Sequence, residues 1–328
     1  MNSKNIQQIF SISSQAEFEE LAIKVFTFQF QNNPTYKTYC TYLNKSPENV
    51  QRVADIPFLP IEFFKSHKII SSDKTPEVVF KSSGTTSGNT SKHFVIDMAL
   101  YQQSFLKGFT KFYGPVEDYC ILALLPSYLE REGSSLIYMV NDLIQQSKHS
   151  GSGFYLDNLN DLCKKLIQLQ HKGTKTLLIG VSFALLNLAE QQPMAIPNTI
   201  IMETGGMKGR RKELIREELH NILQTAFHVP KIHSEYGMTE LLSQAYSQGN
   251  GLFQCPPWMK IITRDTEDPL GMQPHGKTGG INVIDLANVY SCSFIATQDL
   301  GKVYPDGTFE VLGRFDHSDI RGCNLMAL

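Results

Sequence analysis

Lys81-Ser-Ser-Gly-Thr-Thr-Ser-Gly-Asn-Thr-Ser-Lys92 is the stretch on which the fold turns. Nine of its twelve residues are Ser, Thr or Gly, and the short apolar run Val78-Val-Phe80 precedes it. Such a run predicts a strand, so the loop leaves a strand end. Glycines let backbone N–H groups turn inward, and hydroxyls add further donors. Together they make a cradle for phosphate oxygens. A Ser/Gly run alone is equally a flexible polar loop; the order S-S-G-T-T favours the phosphate site.

Around this loop the chain alternates. The first 45 residues read as helices, with Phe18, Leu21, Ala22, Val25, Phe26 and Phe30 forming an apolar core stripe at helical spacing. Ile56 to Phe64 is extended, with two prolines close together. Tyr119–Leu125, Lys175–Gly180 and Asn198–Glu203 predict strands. Leu159–His171, a segment running through Glu190, and Arg210–Ala226 predict helices. Strand–helix alternation points to α/β layers with parallel strands. The last 70 residues lack helical crossovers. They predict strands at Gly280–Leu286, Ser291–Thr297, Gly301–Tyr304 and Phe309–Leu312. The expected division is residues 1–255, a helical N-terminus plus an α/β core, and residues 256–328, a β-rich subdomain.

Composition narrows the classes. The 328 residues carry a formal net charge of −2, with 41% hydrophobic and 19% charged residues. That suits an ordinary globular protein and gives no electrostatic footprint for nucleic acid. No apolar stretch is long enough for a membrane span, and the N-terminus has no signal-peptide pattern. The six cysteines are scattered without a C-x-x-C pair. No zinc site or disulfide framework is indicated, and a cytoplasmic location with reduced thiols is expected.

Further motifs carry chemistry. Ser234-Glu-Tyr-Gly-Met-Thr-Glu240 offers an aromatic face for a base, a hydroxyl for phosphate and a carboxylate for a hard cation. By itself it is equally a surface turn. Thr204-Gly-Gly-Met207 follows a predicted strand. Ala296-Thr-Gln-Asp-Leu-Gly301 and Gly313-Arg-Phe-Asp316 come later. Taken in order, these motifs resemble those of the adenylate-forming superfamily, which includes acyl-CoA synthetases, aryl-CoA ligases and luciferases. The resemblance covers roughly residues 75 to 322. It implies a layered αβ large domain with a β-rich C-terminal subdomain, and ATP and Mg²⁺ as cofactors. It also implies roles: Ser83, Gly84, Thr85, Thr86 and Gly88 on phosphates, and Gly205 and Gly206 packing backbone against adenine. Tyr236 and Gly237 would lie at the adenine, Thr239 at the α-phosphate and Glu240 at the metal. Asp299 and Arg314 would hold the ribose. Lys92 comes two positions later than the family's lysine, and Gln298 replaces a glycine.

Two other patterns compete. Gly271-Met-Gln-Pro-His-Gly-Lys-Thr278 fits a P-loop formally, but a strand rather than a helix is expected after it. Gly180-Val-Ser-Phe-Ala184 approaches a nucleophile elbow and would make Ser182 an acyl-ester nucleophile. A similar turn in the aryl-CoA ligases lines the acyl pocket, so Ser182 and Phe183 are taken as pocket residues.

The chain ends twelve residues after Asp316, so most of the superfamily's C-terminal lid domain is expected to be absent. The loop S-G-T-T-S, the segment Thr204–Arg211 and the tail Asp319-Ile-Arg-Gly-Cys-Asn-Leu325 resemble the LuxE-like acyl-protein synthetases. That family makes an acyl-adenylate and passes the acyl group to its own C-terminal cysteine, here Cys323. The resemblance implies a carboxylic acid substrate, a fatty acid. An acyl-carrier, reductase or acyltransferase protein partner stays open, as does a homo-oligomer. Lys208, Arg210, Arg211 and Lys212 read as a solvated helix face. Two alternatives also stay open: an ATP-independent serine acyltransferase using Ser182, and a non-catalytic nucleotide- and acyl-binding subunit.

Overall fold

The computed structural model describes residues 1, 3–82, 90–126, 133–156, 158–205 and 214–315. The chain divides into two compact units, Met1–Asp73 with Pro257–Leu328, and Lys74–Pro256.

In the Lys74–Pro256 unit, the strands Gly153–Phe154, Cys120–Leu124, Thr176–Val181, Thr199–Thr204 and His233–Tyr236 lie side by side in that order, all parallel. Ala245–Ser247 and Phe253–Gln254 extend the sheet antiparallel. Every residue of the 120–124 and 176–181 strands is buried, as expected for strands covered on both faces. One face, carrying Ile121, Leu177, Ile179 and Met202, meets Phe109 of the helix Met98–Tyr113 and Met139 of the helix Ser135–Ser147. The helices Ser182–Gln191 and Arg216–Phe227 take the other. Gly180 has no room for a Cβ there because Leu185 packs on it. A separate antiparallel hairpin pairs Val78–Lys81 with Lys92–Val95.

The helix expected over Arg210–Ala226 begins later, at Arg216, although it runs to Phe227. Ile215 has extended backbone and is 69% exposed, so it lies before the helix rather than on its buried stripe. Glu217 and Glu218 in the first turn mark the start, where carboxylates meet the positive end of the helix dipole. The buried face is Leu219, His220, Leu223 and Phe227. Leu159–His171 matches its expected bounds, and Gly173 follows with φ of 64°.

In the other unit, Met259–Arg264, Thr278–Asp285, Phe294–Val303 and Phe309–Arg314 form an antiparallel series, with Leu59–Pro60 parallel to the third. The helix Gln15–Asn32 opens on a capping box between Ser14 and Glu17. Its expected stripe is buried at Phe18, Leu21, Ala22, Val25 and Phe26. Phe26, Tyr36, Phe58 and Phe294 form an aromatic cluster with ring centroids 6.1–6.4 Å apart. Polar residues stitch this core as well. Buried Gln29 donates to Asn288 O, Val289 O and Ser293 Oγ and accepts from Ser293 N. Buried Asn33 donates to Ser291 O.

One expected break is not present. Ser291–Thr297 and Gly301–Tyr304 were separate strands by pattern, with Gln298-Asp-Leu between them. Instead Phe294–Val303 runs through as one strand, with a register irregularity between Leu300 and Gly301. Burial alternates along its length: Gln298 and Lys302 fall on the less buried side, and the buried Thr297 and Asp299 are hydrogen-bonded to Ile281 O and Arg314, so the segment needs no loop. The P-loop-like Gly271–Thr278 stretch leads into the strand Thr278–Asp285 and opens no helix.

Candidate active site

The expected site residues fall into two sets, one in each unit. In the Lys74–Pro256 unit the hairpin carries the Ser/Thr/Gly loop. Its neck is closed by Ser82 N donating to Ser91 O (3.1 Å) and by Ser91 N donating to Ser82 Oγ (2.9 Å). Two residues on, buried His93 donates from Nδ1 to the Thr239 carbonyl at 2.8 Å. The neck of the loop is therefore tied to the turn that follows Tyr236. Tyr236 ends its strand nearly buried, 6.1 Å from the Phe253 ring. Thr239 is half-buried and Glu240 buried. Lys92 is exposed on the hairpin.

The ends of the neighbouring strands hold two buried carboxylates that sequence reasoning passed over. Glu203 pairs in register with Ser234, and Thr204 with Glu235. Side chains alternate along a strand, so Glu203 and Glu235 point to opposite faces. Glu203 sits among donors. Ser182 Oγ lies 3.0 Å from its Oε2, while Arg216 Nε and His220 Nε2 lie 3.4 and 3.7 Å from its Oε1. Burial pushes its pKa up, but His220, Arg216 and Ser234 outweigh that and hold it below the ordinary value. Ser182 is also 2.6 Å from the Gly205 carbonyl, where its hydroxyl secures the turn. Gly205 itself has φ of 62°, which favours glycine. Ser182 is 3% exposed and bonded to acceptors at the base of a turn, which suits a positioning residue better than a nucleophile. Phe183 beside it is buried.

Glu235 behaves in the opposite way. Burial drives its pKa up to about 7, the bond from Thr204 opposes this, and Glu203 adds to the rise. Its proton is held more tightly in the folded state than in the unfolded chain. The stabilisation is complete below the ordinary value of 4.5 and is lost as pH rises through about 7. A shift of that size corresponds to about 3 kcal/mol. Glu235→Gln is expected to remove this decline. Urea melts of the variant and the parent should agree near about pH 5, and the variant should be the more stable near about pH 8. A variant that is weaker at both would show that the carboxyl group itself is needed for packing.

In the other unit, Asp299 and Arg314 face each other across the 294–303 and 309–314 strands, with Arg314 Nε 3.2 Å from Asp299 Oδ1. Arg264 ends the strand Met259–Arg264. Its guanidinium reaches Ile281 O, Asn282 Oδ1 and Thr297 O, and lies 5.5 Å from the centre of the Phe315 ring. Gly280 leaves the space that the guanidinium crosses. Gln298 donates to Glu62 rather than opening a loop.

Ser83, Gly84, Thr85, Thr86, Gly88, Gly206 and Cys323 lie outside the described residues. So does the basic cluster Lys208, Arg210, Arg211 and Lys212. Sequence reasoning missed His93, Glu203, Arg216, His220 and Glu235. One available signal was a carboxylate closing an apolar strand, as in Ile200-Ile-Met-Glu-Thr204.

With this geometry in place, comparison with known proteins becomes informative. Residues 9–127 match the family model of the acyl-protein synthetase LuxE. The resemblance expected from the motifs is borne out. No curated protein sequence matches the chain. Among solved structures, ATP-bound MatB from Rhodopseudomonas palustris is similar with a TM-score of 0.55 and 17% identity, covering 72% of this chain. The chain spans about half of that protein's length, 47%. 2-Hydroxyisobutyryl-CoA ligase in its postadenylation state gives a TM-score of 0.68 at 11% identity, covering 93% of this chain and 69% of that one. The same ligase with 2-HIB-AMP and CoA, in the thioesterification state, gives 0.67 at 12% identity, covering 93% and 70%. At these identities the likeness shows the fold, a mixed α/β architecture with a large sheet, as in adenylate-forming enzymes.

Among the described residues no helix is long and apolar enough to cross a membrane. Among them, too, no group of three or more His, Cys, Asp or Glu is placed to hold a metal. A Mg²⁺ ion carried on a triphosphate needs only one or two protein carboxylates, and Glu240 fits that requirement.

Proposed function

We propose that the chain binds ATP with Mg²⁺, activates a carboxylic acid as its acyl-adenylate, and passes the acyl group to a thiol. The observation that carries this is the tie from His93 to the Thr239 carbonyl. It sets the neck of a Ser/Thr/Gly loop against the Tyr236–Glu240 turn, two motifs far apart in sequence that phosphate chemistry needs together. The match to LuxE and the fold shared with ligases solved with ATP or an acyl-AMP support the same reading.

In the first step a carboxylate oxygen of the acid attacks the α-phosphorus of ATP. The bond to the β-phosphate oxygen breaks, and pyrophosphate leaves. Backbone N–H groups and hydroxyls of Ser83, Thr85 and Thr86 would hold the phosphates, with the Thr239 hydroxyl on the α-phosphate. Glu240 would hold Mg²⁺, which neutralises charge on the phosphates. Asp299 and Arg314 would hold the ribose. In the second step a thiolate attacks the acyl carbon, the bond to the phosphate oxygen breaks, and AMP leaves. Cys323 is the proposed thiol, a fatty acid the proposed substrate, and a reductase, carrier or acyltransferase protein the proposed final acceptor.

Incubation with ATP and a labelled fatty acid should yield a protein adduct released by hydroxylamine. Cys323→Ser is expected to abolish the adduct while leaving acyl-adenylate formation within about twofold. An undiminished hydroxylamine-sensitive adduct on the variant would rule out Cys323 as the acceptor.

A further inference from the structure

Strand register pairs Thr204 with Glu235, so Gly205 and Tyr236 are the next positions, side by side at the carboxyl ends of two adjacent parallel strands. Open parallel sheets bind their ligands at such ends. An aromatic face beside a glycine turn, whose bare backbone lets a partner come close, suits a flat heteroaromatic base. Both residues are held from behind. Tyr236 is held by a ring. Register carries one row across four strands, from Glu203 to Ser234, Ser247 and Phe253. Residues of a row share a face, and Tyr236, two positions after Ser234, is on that face too. The Tyr236 and Phe253 rings meet edge-on, with centroids 6.1 Å apart. Gly205 is held by a hydroxyl: Ser182 Oγ is 2.6 Å from its carbonyl and 3.0 Å from Glu203 Oε2.

The two supports meet at one side chain. Arg216 opens the helix Arg216–Phe227 and spans the row from end to end. Its Nε is 3.4 Å from Glu203 Oε1, and its guanidinium carbon lies over the Phe253 ring, 5.0 Å from the centre. Between these ends the row holds only Ser234 and Ser247, whose small side chains leave space for the long one. The stem passes close to Gly251, where a Cβ would stand 3.2 Å from Arg216 Cδ. Each contact has a consequence at the strand ends. The Ser182 hydroxyl has one proton for two acceptors, so neutralising Glu203 leaves more of that proton to the Gly205 carbonyl. The guanidinium on the face of Phe253 fixes the ring whose edge meets Tyr236.

We propose that Arg216 is a positioning residue for the base of the nucleotide: it braces Tyr236 through Phe253 and the Gly205 turn through Glu203 and Ser182, without touching the nucleotide itself. This rests on the reading of the chain as an ATP-dependent, acid-activating enzyme. It predicts that Arg216 governs the affinity for the base-bearing part of ATP and leaves the grip on its phosphates alone.

The test titrates the full chain with ATP, AMP and inorganic tripolyphosphate by calorimetry, the last by displacement of ATP. Arg216→Gln is expected to raise the Kd for ATP and AMP about five- to twentyfold and to leave tripolyphosphate within about twofold. In ATP–pyrophosphate exchange the KM for ATP should rise by the same factor, with kcat within about threefold, a split that general loosening of the fold would not produce. Arg216→Lys keeps a charge for Glu203 but not the flat fork that lies on the ring, so its loss should be smaller and match that of Phe253→Leu. Ser182→Ala, which cuts only the other arm, should give a loss of the same kind. An equal loss of tripolyphosphate would mean that Arg216 meets the phosphates directly. Unchanged ATP affinity in a folded variant would mean that it braces nothing. Either result overturns the proposal and leaves the acid-activating reading standing. Thermal melts establish folding, and if Arg216→Gln does not fold, Arg216→Lys and Phe253→Leu carry the comparison. If the parent chain binds ATP but no acid supports exchange, the acid-activating reading fails, and the calorimetric comparison still decides the role of Arg216. A parent chain that binds no ATP overturns both.

Discussion

Glu203→Ala is expected to lower the stability of the folded chain by about 3–5 kcal/mol, read from urea unfolding at neutral pH. The carboxylate is 6% exposed at the end of a central parallel strand. Ser182, Arg216 and His220 gather around its two oxygens from two helices. Removing it leaves the Arg216 guanidinium, itself 28% exposed, without its carboxylate, and deprives Ser182 of one acceptor. Arg216 would retain its place 5.0 Å from the centre of the Phe253 ring, which limits the loss. The helices Ser182–Gln191 and Arg216–Phe227 both lean on this group, so the cost should appear as global unfolding. A change under about 1 kcal/mol would mean that the donors are satisfied without Glu203. Because the folded carboxyl pKa is depressed, its contribution is present above the unfolded value and lost as pH falls through the folded one. The penalty of the substitution should therefore shrink in acid, the reverse of the trend expected at Glu235.

Asp299→Ala is expected to weaken ATP binding by about ten- to a hundredfold, the worth of charge-assisted hydrogen bonds to a buried-facing carboxylate. The side chain is 11% exposed and its partner Arg314 is 82% exposed. Stability should change little, because a pair so open on one side contributes little to folding. Nucleotide titration by calorimetry measures the first effect and thermal melting the second. Unchanged ATP affinity in a well-folded variant would remove Asp299 from the nucleotide site.

Local pattern carried much of the fold. The Leu159–His171 helix follows from its apolar periodicity, and the strands at 120–124, 176–181 and 199–204 follow from short, nearly continuous apolar runs. What escaped was set by distant partners. Residues 1–73 share a compact unit with the C-terminal strands, through contacts such as those of Gln29 with Asn288 and Ser293 that no local spacing encodes. The continuous 294–303 strand escaped for a related reason. Polar Gln298 and Asp299 look like a loop until Glu62 and Arg314 supply their partners. At the candidate site, Tyr236, Thr239 and Glu240 could be read from their motif, and Asp299 and Arg314 from theirs. The residues beneath them could not. Glu203 and His93 are each a single polar residue in an apolar or unremarkable context, and their meaning comes from what the fold brings within 3–4 Å of them.

Acid-dependent exchange of labelled pyrophosphate into ATP tests the central claim most directly, because the exchange requires reversible formation of the acyl-adenylate and no acceptor thiol. With Mg²⁺ and a panel of carboxylic acids, exchange should rise well above the acid-free rate for at least one acid. It should fall by about a hundredfold or more in Glu240→Ala. ATP binding in the same preparation with no acid-stimulated exchange across the whole panel would contradict it.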